Sequence, residues 1–298
     1  MRTVTYPGQG KRINKEVAKQ NNNPKGEMNF LDHIEELRWH IVRSAIAIVI
    51  GSIVVFTKVE WLFDKVVMGP AHKEFISYRA FCALGRMLHS DAFCMQDINM
   101  RFQNTAVTGQ FMMSLSVSVV MGFILVFPFI LWELWKFIRP ALKDNELKMA
   151  RGIVFWCSLL FFMGVSFAYF IVAPYTIHFF GNYKLSPLFE NVITIENYYD
   201  TMSNMILALG VVFELPMIVF FLTRIGILTP KFLKEKRRYA FLILFIVAMV
   251  IAPPDVFSCL LIFVPLYLLF EISVLISARA LKARRLKEAM QKDNDLYE

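Results

Sequence analysis

No GxxxxGK[ST] phosphate loop, HExxH, GxSxG or CxxC occurs in the 298 residues. The sequence therefore offers no nucleotide cradle, zinc-protease helix, nucleophile elbow or redox dithiol. ATP hydrolysis within the chain lacks its machinery, and an intramembrane hydrolase would lack a nucleophile and base pair; no catalytic residue is assigned. The five histidines, His33, His40, His72, His89 and His178, show no ligand spacing. They are expected at the surface, with no metal and no cofactor. Charge is scarce as well: 19% of residues are charged against 57% hydrophobic, which excludes an ordinary soluble domain. Residues 1–28 hold no apolar run and carry Asn21, Asn22, Asn23, Pro24 and Gly26 among charges. They predict a disordered cytoplasmic tail and not a cleavable signal peptide.

What the chain has instead is a repeated supply of apolar runs of about 20 residues, the length that crosses a hydrocarbon core of about 30 Å. Six spans are predicted, over 41–56, 111–131, 152–173, 205–223, 239–252 and 256–276. The fold class is thus all-α integral membrane. The fifth run is short, and Pro253 and Pro254 fix its end, with Asp255 completing a tight turn into the sixth. Such a hairpin thins the bilayer locally. Ahead of the first span, Leu31, Ile34, Leu37 and Ile41 recur at helical spacing between charges, predicting an amphipathic helix in the interface. The expected organisation is a tail over 1–28, a membrane domain over 29–278 and a basic cytoplasmic tail over 279–298.

Orientation follows from the cations. Of 32 Lys and Arg, only Lys58, Lys65, Lys73, Arg79, Arg86, Arg101 and Lys184 fall on one side. The others collect in both end segments and in the second-third and fourth-fifth loops, which places both termini in the cytoplasm. The net charge of +8 is explained by this asymmetry, and nucleic acid is not an expected partner. The opposite side carries a loop of about 57–110 and another of about 174–201, both with aromatic residues, which predict structured caps. Cys157 and Cys259 read as small hydrophobes in apolar runs. Cys82 and Cys94 share the longer loop, where they are either a disulfide or two free thiols.

Glu214, in Phe213-Glu214-Leu215-Pro216, is the acid that stands out, because an ionised carboxylate inside the membrane costs several kcal/mol, roughly 2.5 to 3.5 for the comparable Asp, Lys or Arg on insertion scales. It is either a functional group facing protein or water, or a protonated side chain bonded to a neighbouring helix. Glu133 and Glu271 lie nearer the basic ends of their runs, where snorkelling toward water accounts for them. Glu36 and Glu146 stand out as carboxylates among basic loops, although a solvated surface ion pair would explain each alone.

Taken together, several stretches resemble one family. They are His33-Ile34-Glu35-Glu36-Leu37-Arg38, Trp135 to Leu142 continuing to Glu146, Phe167-Ala168-Tyr169-Phe170 with Pro174, Phe213 to Pro216, Arg237-Arg238-Tyr239, and Pro253 to Ser258. In this order they are similar to TatC, the receptor subunit of the twin-arginine (Sec-independent) protein translocase, from about Phe30 to Ala278. The resemblance implies a cup-like arrangement of six helices in a bacterial-type inner membrane and proton-motive-force-driven export of folded precursors. It implies that Glu36 and Glu146 receive the paired arginines of a signal peptide, with Arg38 and Phe137 beside them. It also implies that Glu214 meets a single-span TatA- or TatB-type subunit, and that Pro70 and Asp255 match positions in the first and last loops on the opposite side. Self-association in the receptor complex belongs to the same expectation. Residues 75–97 look like an insertion relative to shorter members. A small-solute or ion transporter using Glu214 is the alternative from another class.

Overall fold

The computed structural model describes residues 30–72, 74–87, 89, 100–139, 152–186, 188, 191–253 and 255–294. The chain divides into two compact units, 1–42 and 43–298. Of the first, only the beginning of helix α1 (Phe30–Phe56) is described. The predicted interfacial segment and first span thus form one unbroken helix.

Within the second unit, short elements follow α1: α2 (Val59–Leu62), a π-helical turn (Phe63–Val67), a 3-10 turn (Gly69–Ala71) and α3 (Ile76–Met87). Strand β1 (Arg101–Gln103) leads to α4 (Gly109–Ile138). A continuous helical stretch comes next: α5 (Ile153–Phe167), a π-helical turn (Ala168–Val172) and α6 (Ala173–Asn182). Pro174 explains the widened turn, because its ring cannot donate a backbone hydrogen bond and crowds the carbonyl one turn earlier. The third span therefore runs nine residues beyond the predicted end at Ala173. Strand β2 (Val192–Thr194), α7 (Ile195–Val212), α8 (Leu215–Arg224), α9 (Pro230–Glu235), α10 (Arg237–Ile251) and α11 (Val256–Asn294) complete the order.

Among the described residues, five stretches are long and apolar enough to cross a membrane: Glu35–Phe56, Gly109–Ile138, Ile153–Asn182, Ile195–Thr223 and Val256–Lys282. The sixth, α10, has 15 residues, about 22 Å of helix at 1.5 Å per residue. Its shortness agrees with the sequence. The basic segment from Arg279 does not leave the helix; α11 continues to Asn294.

The core lies where α5 crosses α4 and α7. Phe127 and Phe161 stack with ring centroids 3.5 Å apart, and Phe161, Leu209, Ile262 and Leu266 are fully buried. Small residues let the helix backbones meet, the usual solution where lipid supplies no hydrophobic drive between helices. A Cβ at Gly164 would lie 2.8 Å from the Leu209 carbonyl oxygen, and one at Gly122 would lie 2.7 Å from the Ser52 amide. Hydroxyl pairs add directional contacts: Thr223 with Ser277 at 2.8 Å and Thr176 with Ser258 at 3.1 Å, both buried. Each such bond stabilises the bundle by roughly 0.6 to 2 kcal/mol. The outward faces remain apolar, as at Ile46, Val49 and Ile53 on α1 and Leu242 and Ile243 on α10, as lipid-facing surfaces require.

The described parts of both predicted loop caps are structured, and they are joined by a contact that hydropathy gave no sign of. β1 pairs in parallel with β2, Phe102 opposite Ile193, tying the loop after α1 to the loop after α6.

Candidate functional site

The predicted site residues fall into three groups. On α1, Glu36 and Arg38 are two residues apart and so face different ways. The Arg38 guanidinium reaches Glu35 Oε1 at 3.4 Å, one turn back, and lies 5.7 Å from the Trp39 ring. Glu36 turns toward the following turn, where His40 Nε2 stands 4.0 Å from its Oε1. The neighbouring arginine is therefore spent on Glu35, and among the described residues Glu36 has only this long contact with an imidazole. His40 itself is buried at 8% exposure, which corrects the expectation of a surface histidine. Phe137 lies in the last turn of α4, half-buried and in contact with other groups. Glu146 lies outside the described residues, so the paired-carboxylate geometry is described for one partner.

The second group is the break in the fourth span. Phe213 and Glu214 close α7 with tightening turns, the Glu214 amide donating to the Val211 carbonyl at 3.1 Å. The Glu214 carbonyl then receives the amides of Met217 and Ile218, both at 3.0 Å. Pro216 near the start of α8 has no amide to offer, so the helix cannot run through and restarts at Leu215. Glu214 thereby becomes the residue just before a new helix, whose N-terminal dipole favours negative charge. Its side chain is only 7% exposed, and its Oε1 has no hydrogen-bond partner among the described residues. The Cys157 thiol of α5 interacts with the carboxyl. Phe213 stacks on Phe167 at 5.7 Å, fixing the break against α5. A buried acid with an unmatched oxygen can accept a donor from an incoming helix, and holding it unmatched is unfavourable by a few kcal/mol.

The third group caps the end of the bundle opposite the basic loops. Pro70 is buried, and its carbonyl accepts the Tyr78 hydroxyl at 2.6 Å. Burial pushes the Tyr78 hydroxyl well above its ordinary pKa, so it stays protonated and donating. Tyr169 donates to the Val66 carbonyl and Tyr198 to the Val67 carbonyl, each at 2.8 Å. Tyr169 and Tyr198 thus fasten the turn before Pro70 onto span helices, while Tyr78 ties it to α3. Asp255 accepts the Ser258 amide at 2.6 Å and caps α11, the role its position after Pro253 suggests; Pro254 lies outside the described residues. Cys157 and Cys259 are free. Cys82 on α3 is engaged and not a free thiol, while Cys94 lies outside the described residues.

Glu133 behaves differently from the snorkelling expected of it, whereas Glu271 stays partly exposed. Glu133 is buried at 2% exposure, with Lys136 Nζ at 2.9 Å and Arg43 at 3.7 Å; Lys136 in turn sits 3.2 Å over the Trp132 ring. Glu271 joins α11 to α10 through Arg237 at 2.8 Å and accepts the Tyr267 hydroxyl at 3.2 Å. The spacing of Glu133 and Lys136 carried a signal for the first pair, since residues three apart share a helix face. Nothing in the sequence signalled the second. Among the described residues no cluster of three metal-ligating side chains occurs.

Multiple apolar spans, a proline-broken acidic helix and a tyrosine-fastened cap define a multi-pass helical membrane protein built around a fixed scaffold. A family model described as Sec-independent protein translocase protein (TatC) matches residues 32–265. The Sec-independent protein translocase protein TatC of Blattabacterium sp. subsp. Periplaneta americana (strain BPLAN) is 40% identical over 257 residues, covering 86% of this chain and 97% of the relative. TatCy of Bacillus subtilis (strain 168) is 31% identical over 267 residues, covering 90% and 95%. A crystal structure of the twin arginine translocase receptor TatC superposes with a TM-score of 0.65 at 29% identity, covering 84% of this chain and 99% of that one. The chain belongs to the TatC family of Sec-independent protein translocase proteins and is a multi-pass inner-membrane protein. Nothing in these likenesses favours the small-solute transporter alternative.

Proposed function

We propose that the chain is the receptor subunit of a twin-arginine translocase. It binds the signal peptide of folded precursors at the cytoplasmic face, with Glu36 and Glu146 gripping the paired arginines and Arg38 and Phe137 bordering them. Glu214 receives a polar group from the single membrane helix of a TatA- or TatB-type subunit. Both termini are cytoplasmic, the receptor self-associates, export is driven by the proton motive force, and the chain is a binding scaffold and not an enzyme. Pro70, Pro253, Pro254 and Asp255 serve to shape the opposite face.

The observation that carries this reading is the state of Glu36. It is a partly exposed carboxylate whose neighbouring arginine in sequence, Arg38, is turned to Glu35, leaving only the 4.0 Å contact with His40. An uncommitted carboxylate can take a guanidinium in the two-pronged geometry that an ammonium cannot reproduce. Charge-assisted bonds of this kind contribute about 1.5 to 3 kcal/mol each, or roughly one to two decades in affinity.

The test is binding of a twin-arginine signal peptide and its twin-lysine counterpart to the full-length protein in nanodiscs. Glu36→Gln and Glu146→Gln are each expected to weaken the arginine peptide tenfold or more and to narrow its advantage over the lysine peptide. Undiminished affinity and discrimination in both variants would remove the site.

A further inference from the structure

A cationic surface lies at the corner where α9 meets α10. Five of the eight residues from Lys231 to Arg238 are basic. Their acidic company is thin: Lys231 has Glu235 at 3.9 Å with both side chains largely exposed, and Arg237 is taken by Glu271. Lys234 and Arg238 have no ion pair among the described residues, and Lys236 only overlies the Tyr239 ring at 5.3 Å. A cavity of about 570 Å³ opens here, lined by Thr229, Pro230, Lys231, Lys234, Glu235 and by Leu281 of α11.

Two further features say what this corner meets. Phe232 and Tyr239, in the same run of sequence as the lysines, are 49% and 62% exposed, and exposed aromatics beside cations mark the headgroup layer of a membrane. Farther along α10, Phe241, Leu242 and Ile243 are also about half exposed, so an exposed apolar wall begins within about one helical turn of the cationic run. Nucleic acid or an acidic soluble protein would leave that wall unused. An amphiphile with an anionic head uses both. The shortness of α10, 15 residues, strengthens the fit, because a helix of about 22 Å draws headgroups toward its ends to cover the hydrocarbon mismatch.

We propose that this corner is a binding site for an anionic phospholipid. The ammonium groups of Lys231, Lys234 and Lys236 hold the phosphodiester, Pro230 and Leu281 floor the cavity, and the exposed face of α10 takes the acyl chain. The site shares no residue with the proposed signal-peptide and partner-helix sites.

Native mass spectrometry of the detergent-purified full-length chain, titrated with phosphatidylglycerol and phosphatidylcholine of matched chains, tests it. The wild type is expected to retain phosphatidylglycerol at least fivefold over phosphatidylcholine. K231Q/K234Q is expected to lose roughly fivefold per cation removed, from the attraction of one basic side chain to an anionic lipid surface. K58Q/K184Q, which removes two exposed cations from the capped end, is expected to leave retention unchanged. An unchanged thermal midpoint of K231Q/K234Q establishes that any loss is not unfolding. Equal retention of the two lipids by the wild type would overturn the proposal, as would undiminished phosphatidylglycerol binding in K231Q/K234Q or an equal loss in K58Q/K184Q. Displacement of phosphatidylglycerol by inorganic phosphate at matched concentration would also overturn it, leaving a free-anion site in its place.

Discussion

A single methyl group at Gly164 tests whether the α5–α7 crossing positions the Glu214 break. The added Cβ would fall 2.8 Å from the Leu209 carbonyl oxygen and 2.8 Å from Phe213 Cβ. The first is backbone in a helix interior and cannot swing away, and the second belongs to the residue preceding Glu214. The helices must separate by several tenths of an ångström, disturbing the stacking of Phe213 on Phe167. Overpacking of this kind is unfavourable by about 1 to 3 kcal/mol, which lowers the unfolding midpoint by roughly 2 to 12 °C for a chain of this size class. Gly181→Ala is the matched control. There the Cβ would meet the Met100 methyl at 2.5 Å, the end of a flexible thioether that can rotate aside. Its expected shift is smaller than at Gly164, under about 1 kcal/mol, because a flexible side chain and not a backbone has to move. The assay is native: Cys157 and Cys259 are free, and Cys259 is buried, so a thiol-reactive fluorophore reports unfolding in detergent on heating. Equal midpoints for Gly164→Ala and Gly181→Ala would refute the claim that backbone proximity at this crossing is what matters. A large drop at Gly181 would do so from the other side.

Other outcomes are expected at the cap and at the interhelical pairs. Tyr78→Phe deletes the bond to the Pro70 carbonyl and leaves that acceptor unmatched, about 1 to 3 kcal/mol less stable, read as a lower midpoint in the same assay with the fold retained. Glu271→Gln changes stability by no more than about 1 kcal/mol, since the Arg237 side chain is 47% exposed and can be solvated; a loss above 2 kcal/mol in thermal unfolding would contradict this. Alkylation of the denatured, unreduced chain followed by intact mass is expected to label two thiols and, after reduction, four, as a Cys82–Cys94 bond requires; labelling of all four without reductant would exclude it.

The parts of the fold legible in the sequence are those set by solvent. Runs of apolar residues had to become helices because lipid offers no partner for an open backbone. The proline positions then set where helices end or restart, at Pro216 and at Pro253. What was not legible depends on contacts between distant residues. The hydroxyls of Tyr169 and Tyr198 reach carbonyls more than 100 residues away, and tyrosines beside a membrane end are equally well explained as interfacial anchors. The β1–β2 pairing joins three-residue strands, too short for any alternation to register. The acids divide on the same principle. Glu214 was conspicuous because no charge stands near it in the sequence, whereas Glu133 was discounted because Lys136 stands close by. The geometry reverses the inference drawn from that proximity: Lys136 does not lead Glu133 out to water but stays with it, and the carboxylate is the more buried of the two acids, at 2% against 7% exposure. A nearby cation in sequence therefore lowers the cost of burying a carboxylate instead of showing that it is exposed. At this end of the bundle Glu133, held by Lys136 and Arg43, fixes α4 to α1, which leaves Glu214 as the intramembrane acid with an oxygen still open to a partner.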